Sequence, residues 1–323
     1  MTFFTEVKEA IRGKNRTIVF PEGEEIRILE AAVRLAQEGI IRPIVLGNEK
    51  RIRELAESNG HSLDTVHIID PNTSEKIETF ANEIVRIRRG KTTLEQAKEL
   101  LQQVNYFGTM MVATGEADGL VSGAVHTTAD TVRPALQLIK TKPGIQKTSG
   151  AFIMVRGEER YIFADCAITI APTDDGLAEI AVLSAATARA FGINPKVALL
   201  SFSTKGSADS DETQKVASAT TKAREMDKST PFDGELQFDA AFVPAVAKQK
   251  APDSIVAGAA NVFVFPSLEA GNISYKLVQR LAGFEAVGPI LQGLNKPVND
   301  LSRGCSADDV YHLALLTAAQ VEG

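Results

Sequence analysis

The sequence predicts an α/β protein built as two α/β domains. Short β-branched or apolar runs alternate with longer segments of helical period. At roughly 150 residues per domain, 323 residues make about two domains. A content of 44% hydrophobic and 24% charged residues is an ordinary globular balance, enough for both to bury cores.

The first strand signal is at 17–20, followed by a helix over 24–39 in which Ile28, Leu29, Ala32, Leu35 and Ala36 return every three or four residues and make one apolar face. Residues 44–46, 66–69 and 119–122 repeat the strand signal, each before a polar helix start. Thr92 and Glu95 fit a capping box ahead of a helix over 94–111. Residues 141–150 interrupt the periodicity, and extended runs at 151–155 and 161–164 mark a crossover into a second domain. Alternation resumes with a helix over 174–191, a strand over 197–202, a helix over 211–226 and a strand over 261–265, and the Ala-rich stretch 240–260 reads as packed helix. The last thirty residues hold one strong helix, 307–321, too little for a domain, so they are expected to return to the first. The expected division is 1–147 plus 292–323 for the first domain and 148–291 for the second, with a cleft between them.

Composition removes several classes of function. Lys and Arg number 35 against 41 Asp and Glu, a net charge of −6, and aromatics are 6%, which argues against a nucleic-acid groove. Two cysteines cannot staple this chain, and with four histidines no Cys/His group has zinc-like spacing, so no metal is expected and a reducing compartment is the default. Residues 1–16 are charged rather than apolar, and no run approaches the roughly 20 apolar residues of a membrane span. The expectation is a cytoplasmic protein with no membrane partner.

No G-x-G-x-x-G follows a predicted strand, which removes the main support for dinucleotide binding. Gly90, Lys91 and Thr92 resemble the end of a phosphate loop, but the required earlier glycine is Val85, so a solvated turn is the plainer reading. Ser122, Gly123 and Ala124 end a strand, and Thr127, Thr128 and Asp130 open the next helix, where free backbone donors would favour an anion; a plain capped turn is the alternative. Arg133, one turn in, reaches the same anion or lies on the surface. Ser203 to Ser207 is a polar connection after a strand. Near 265–276 a strand is expected to run into a Gly-Asn turn that launches Tyr275, Lys276 and Arg280, and Tyr275 reads equally as packing. Residues 301–309 crowd hydroxyl, guanidinium, thiol and carboxylate groups. Structurally, Ser306 caps a helix, Asp308 and Asp309 complement its dipole, Arg303 is solvated and His312 pairs with a carboxylate.

Five stretches in order, VSGAVH at 121–126, DTVRP at 130–134, LSFSTKGS at 200–207, GNISYK at 271–276 and DLSRGCS at 300–306, closely resemble the phosphate acetyltransferase family along essentially the whole chain. The resemblance implies reversible exchange of an acetyl group between CoA and inorganic phosphate, on a two-domain fold like that of isocitrate and isopropylmalate dehydrogenases, in a homodimer. CoA, acetyl-CoA, acetyl phosphate and phosphate are then substrates, with no prosthetic group. It implies Asp309 as general base for the CoA thiol, Ser302 and Arg303 as stabilisers of the transition state, and Arg133 and Arg280 as substrate ligands. Arg86, Arg88 and Arg89 compete for a further family arginine, and Ser267, Glu269 and Ala270 depart from the family pattern, leaving the CoA contacts there open.

Reference pKa values of about 8.5 for a thiol and about 3.9 for an aspartate differ by roughly 6 kcal/mol, so the proton must move as sulfur attacks. Burial and the neighbouring negative charge of Asp308 are the two effects that would raise the acceptor's pKa and narrow that gap. Covalent catalysis by Cys305, a butyryl-preferring relative, and a non-catalytic regulator that binds acyl-CoA or acetyl phosphate are the competing readings.

Overall fold

The computed structural model describes residues 2–321. The chain divides into two compact units, one made of the residues up to Lys142 together with those from Leu294 onward, the other of Pro143–Gly293.

The first unit runs α1 (Phe3–Ile11), β1 (Arg16–Phe20), α2 (Ile26–Gln37), β2 (Ile41–Leu46), α3 (Glu49–Ser58), β3 (His67–Ile69), α4 (Ile77–Ile87), α5 (Leu94–Leu101), α6 (Val104–Thr114), β4 (Gly119–Ser122) and α7 (Thr128–Leu138). The second follows with β5 (Ser149–Arg156), β6 (Glu159–Ala164), α8 (Asp174–Ala190), β7 (Val197–Leu200), α9 (Asp211–Met226), β8 (Phe232–Leu236), α10 (Phe238–Phe242), α11 (Pro244–Lys250), β9 (Val262–Val264), α12 (Leu268–Ala282) and β10 (Glu285–Gln292). The chain then returns to the first unit as β11 (Val298–Asp300) and α13 (Ala307–Gln320).

The first sheet has the order β11-β4-β1-β2-β3, with every neighbour parallel. Parallel strands are covered on both faces, which explains the unbroken apolar run Ile18, Val19 and Phe20, each fully buried. The sequence order reverses between β1 and β4, so the loops after β1, β4 and β11 emerge side by side at the carboxyl edge of the sheet, where ligands of open α/β sheets bind. α13 packs on α1, α2 and β4, while α7 packs on β11 and α6. The second sheet is mixed, in the order β10-β5-β6-β9-β7-β8, with antiparallel pairs at β10-β5 and β5-β6.

Several local expectations are corrected. The helix expected over 94–111 is two, α5 and α6, with Gln103 extended between them (φ −84°, ψ 119°). α5 buries only Ala97 and Leu101, whereas α6 is buried continuously from Asn105 to Val112. A helix buried on all sides must lie on the sheet, so the chain changes direction although the apolar period continues. The capping box is Thr93 with Gln96, and Thr92 instead accepts a hydrogen bond from Arg88 Nε at 2.8 Å. The Ala-rich stretch forms two short helices, α10 and α11, rather than one. Gly271 and Asn272 lie inside α12, which Ser267 caps, and not in a turn. A Cβ at Gly271 would collide with the Asp165 carbonyl oxygen, so this glycine serves close packing.

Candidate active site at the carboxyl edge of the first sheet

The loop after β4 forms a ring of backbone donors, as expected of an anion site, but the anion is internal. Glu22, just beyond β1 and 4% exposed, accepts the backbone N–H groups of Gly123 (3.0 Å), Ala124 (2.8 Å), Val125 (2.9 Å) and His126 (2.9 Å). Its Oε1 also lies 2.8 Å from His126 Nδ1. Burial works against the Glu22 charge, but the hydrogen bonds from the His126 ring and from the backbone of His126, Val125 and Ala124 hold its pKa below the usual value. The same pairing, against burial, raises His126.

The other expected anion ligands here are also engaged. Ser122 is fully buried and donates to Asn105 Oδ1 at 2.8 Å. Thr127 and Asp130 close a capping box at the start of α7. Thr128 donates to Asp300 Oδ2 at 2.6 Å. Asp300, at the end of β11, is 2% exposed, and burial pushes its pKa up to about 6 against that hydrogen bond. Gly123 has φ +117°, and a Cβ there would stand 2.5 Å from Asp300 Oδ1 and 2.6 Å from the Leu301 nitrogen. Only glycine lets the β4 and β11 loops approach this closely.

Beyond Asp300 the chain turns out to the surface. Ser302, Arg303 and Asp309 are all exposed, while Cys305 is 7% exposed and burial raises its thiol pKa. Ser302 Oγ accepts the Gly304 N–H at 3.3 Å, which leaves its own O–H able to donate. Ser306 caps α13 in a reciprocal box: Asp309 Oδ2 accepts the Ser306 N–H (2.8 Å) and O–H (2.9 Å), and Ser306 Oγ accepts the Asp309 N–H (3.1 Å). Asp309 Oδ1 has no hydrogen-bond partner among the described residues. Asp309 is exposed, and Asp308 pairs with Arg34 at 2.7 Å, so neither burial nor an unpaired neighbouring charge acts on the Asp309 carboxylate. His312 stacks on Phe4, with centroids 3.6 Å apart.

A model of the phosphate acetyl/butaryl transferase family matches residues 2–318. The chain belongs to that family. It is 63% identical to the phosphate acetyltransferase of Bacillus subtilis over 317 residues, 98% of either chain, and is an acyltransferase of this type. A phosphotransacetylase crystal structure from Streptococcus pyogenes, 57% identical and covering 99% of this chain and 98% of its own, superposes with a TM-score of 0.96. A Salmonella typhimurium structure described as a 4-hydroxythreonine-4-phosphate dehydrogenase, 14% identical and covering 94% of this chain and 99% of its own, reaches 0.56, a likeness of fold alone.

In the transferase, the arginines at the end of α4 separate by environment. Arg86 is spent on Glu83. Arg89 is exposed, at φ 51°. Arg88 and Arg133 both act electrostatically on Tyr106, whose pKa burial raises and these two cations lower. Tyr275, Lys276 and Arg280 lie on α12 in the second unit: the Tyr275 ring stacks on Phe152 at 4.0 Å, Lys276 donates to Asn272 Oδ1 at 2.9 Å, and Arg280 is exposed. Sequence reasoning missed Glu22 and Arg27. The available signal was their place directly after the first strand, the position from which a parallel sheet supplies its ligand loops.

Proposed function

We propose that the transferase moves an acetyl group reversibly between CoA and phosphate, by direct attack of the CoA sulfur with Asp309 as proton acceptor. The observation that carries this reading is the reciprocal cap at Ser306, which fixes the Asp309 carboxylate through Oδ2 and leaves Oδ1 of this exposed residue to take a proton. In the direction of acetyl-CoA formation, sulfur forms its bond to the acetyl carbon as the thiol proton passes to Oδ1, concerted because prior ionisation would cost roughly 6 kcal/mol. The carbonyl oxygen becomes an oxyanion that accepts the Ser302 O–H. Its collapse breaks the bond to the bridging oxygen, and phosphate leaves with that electron pair beside Arg303.

On the first unit the CoA phosphates are taken by Arg133 and Arg88, which both act electrostatically on Tyr106; on the second unit Arg280, Lys276 and Tyr275 of α12 are the candidate substrate ligands. The scheme calls on no metal or prosthetic group. Since Ser122, Gly123, Thr127 and Thr128 are engaged with the protein itself, their part in substrate binding is to hold this rim in shape. The transferase acts in the cytoplasm, as a homodimer. The dimer is supported by the α12 face carrying Ile273, Leu277 and Leu281, which are 58%, 51% and 82% exposed at a spacing of four residues.

The test is thioester formation from CoA with acetyl phosphate or butyryl phosphate at equal concentration. Faster turnover of acetyl phosphate is expected. A preference for butyryl phosphate would reassign the substrate, and binding without turnover of either would make the protein a regulator.

A further inference from the structure

Arg27 stands in the first turn of α2 and reaches both loops that shape this rim. Its Nη1 donates to the carbonyl oxygens of Arg303 at 2.9 Å and Cys305 at 2.8 Å, and its Nη2 to that of Ala124 at 3.1 Å. Nε donates to Glu25 Oε1 at 2.7 Å, which fixes the plane of the guanidinium. Glu22 gathers the donors of the β4 loop, and Arg27, five residues on, gathers acceptors from that loop and from the β11 loop. A planar fork with five N–H groups can serve three carbonyls and a carboxylate at once; an ammonium group cannot.

Ser302 and Arg303 are exposed, so packing does not hold them, and the orientation of their side chains depends on the backbone between Arg303 and Cys305. We propose that Arg27 is a positioning residue for acetyl transfer, tying the Arg303–Cys305 backbone to the β4 loop so that Ser302 and Arg303 present one geometry to the reacting group. This rests on the reading that Arg303 acts in the reaction. A misplacement near 1 Å at a reacting centre costs on the order of a hundredfold in rate, so loss of the tie reads out in kcat.

The experiment compares steady-state kinetics and thermal unfolding of Arg27→Gln, Arg27→Lys, Arg303→Ala and the double variant Arg27→Gln with Arg303→Ala. Each Arg27 variant is expected to lower kcat at least about tenfold while KM for CoA stays within about threefold, lysine giving no rescue because the fork and not the charge is needed. In the Arg303→Ala background, Arg27→Gln is expected to cost less than it costs in the parent, since only Ser302 is left for it to position. Unchanged kcat in both Arg27 variants, rescue by lysine, or losses that multiply in the double variant would overturn the proposal. Should Arg27→Gln fail to fold, Arg27→Lys decides by its kcat and KM alone. Full activity in Arg303→Ala would instead overturn the reading of the site, whatever Arg27 does.

Discussion

Glu22 makes the unusual choice, for a carboxylate 4% exposed, of remaining charged, because four backbone N–H groups and an imidazole converge on it. Glu22→Gln would replace one acceptor oxygen by an amide donor facing those N–H groups, so it should cost about 2–3 kcal/mol, read as a fall in the midpoint of chemical unfolding. Asp300 runs the other way. Its folded pKa of about 6 lies above the unfolded value of about 3.9, so its contribution to stability is full below pH about 4 and is lost as pH rises through 6, by on the order of 3 kcal/mol. Asp300→Asn cannot ionise, so its stability relative to the parent should improve between about pH 4 and pH 6 and hold level above; denaturant titrations from about pH 4 to pH 7 check the slope. Neither carboxylate was legible as structural in the sequence, because Glu22 meets partners 101 to 104 residues away and no local pattern encodes such a contact.

Elements with local signals were read well. The start of α13 was visible as Ser306 followed three residues later by Asp309, and α9 as Asp211–Met226, because caps and apolar period act within one turn. β11 was missed: Val298, Asn299 and Asp300 are three residues without alternation, made a strand only by pairing with β4. The Gly-Asn pair in α12 misled for a similar reason, since a glycine required by a neighbouring backbone looks like a turn glycine. Gly271→Ala should therefore destabilise rather than follow the ordinary helix preference, in which alanine gains up to about 1 kcal/mol over glycine. A lowered thermal midpoint is the expected result, because the added methyl meets the Asp165 carbonyl and not solvent.

At the scale of the molecule, the α/β class with two sheets followed from alternation and length. What alternation could not supply was which strands would lie side by side, and it is the adjacency of β11, β4 and β1 that brings their three loops to one edge. The net charge of −6 opposes a polyanionic substrate, so the proposed site relies on local cations, for which Arg88 and Arg133 are the candidates. The KM for CoA should accordingly rise several-fold between about 50 and 300 mM salt as screening shortens the reach of those charges. A KM independent of salt would remove the arginine patch from the account.

Proton acceptance by Asp309 is tested by the turnover of Asp309→Asn. An asparagine oxygen can still accept from Ser306 and keep the cap of α13, so the fold is retained while the proton acceptor is lost. A fall in kcat of at least about a hundredfold is expected, with KM for CoA little changed. A folded Asp309→Asn protein turning over at nearly the parent rate would contradict that role.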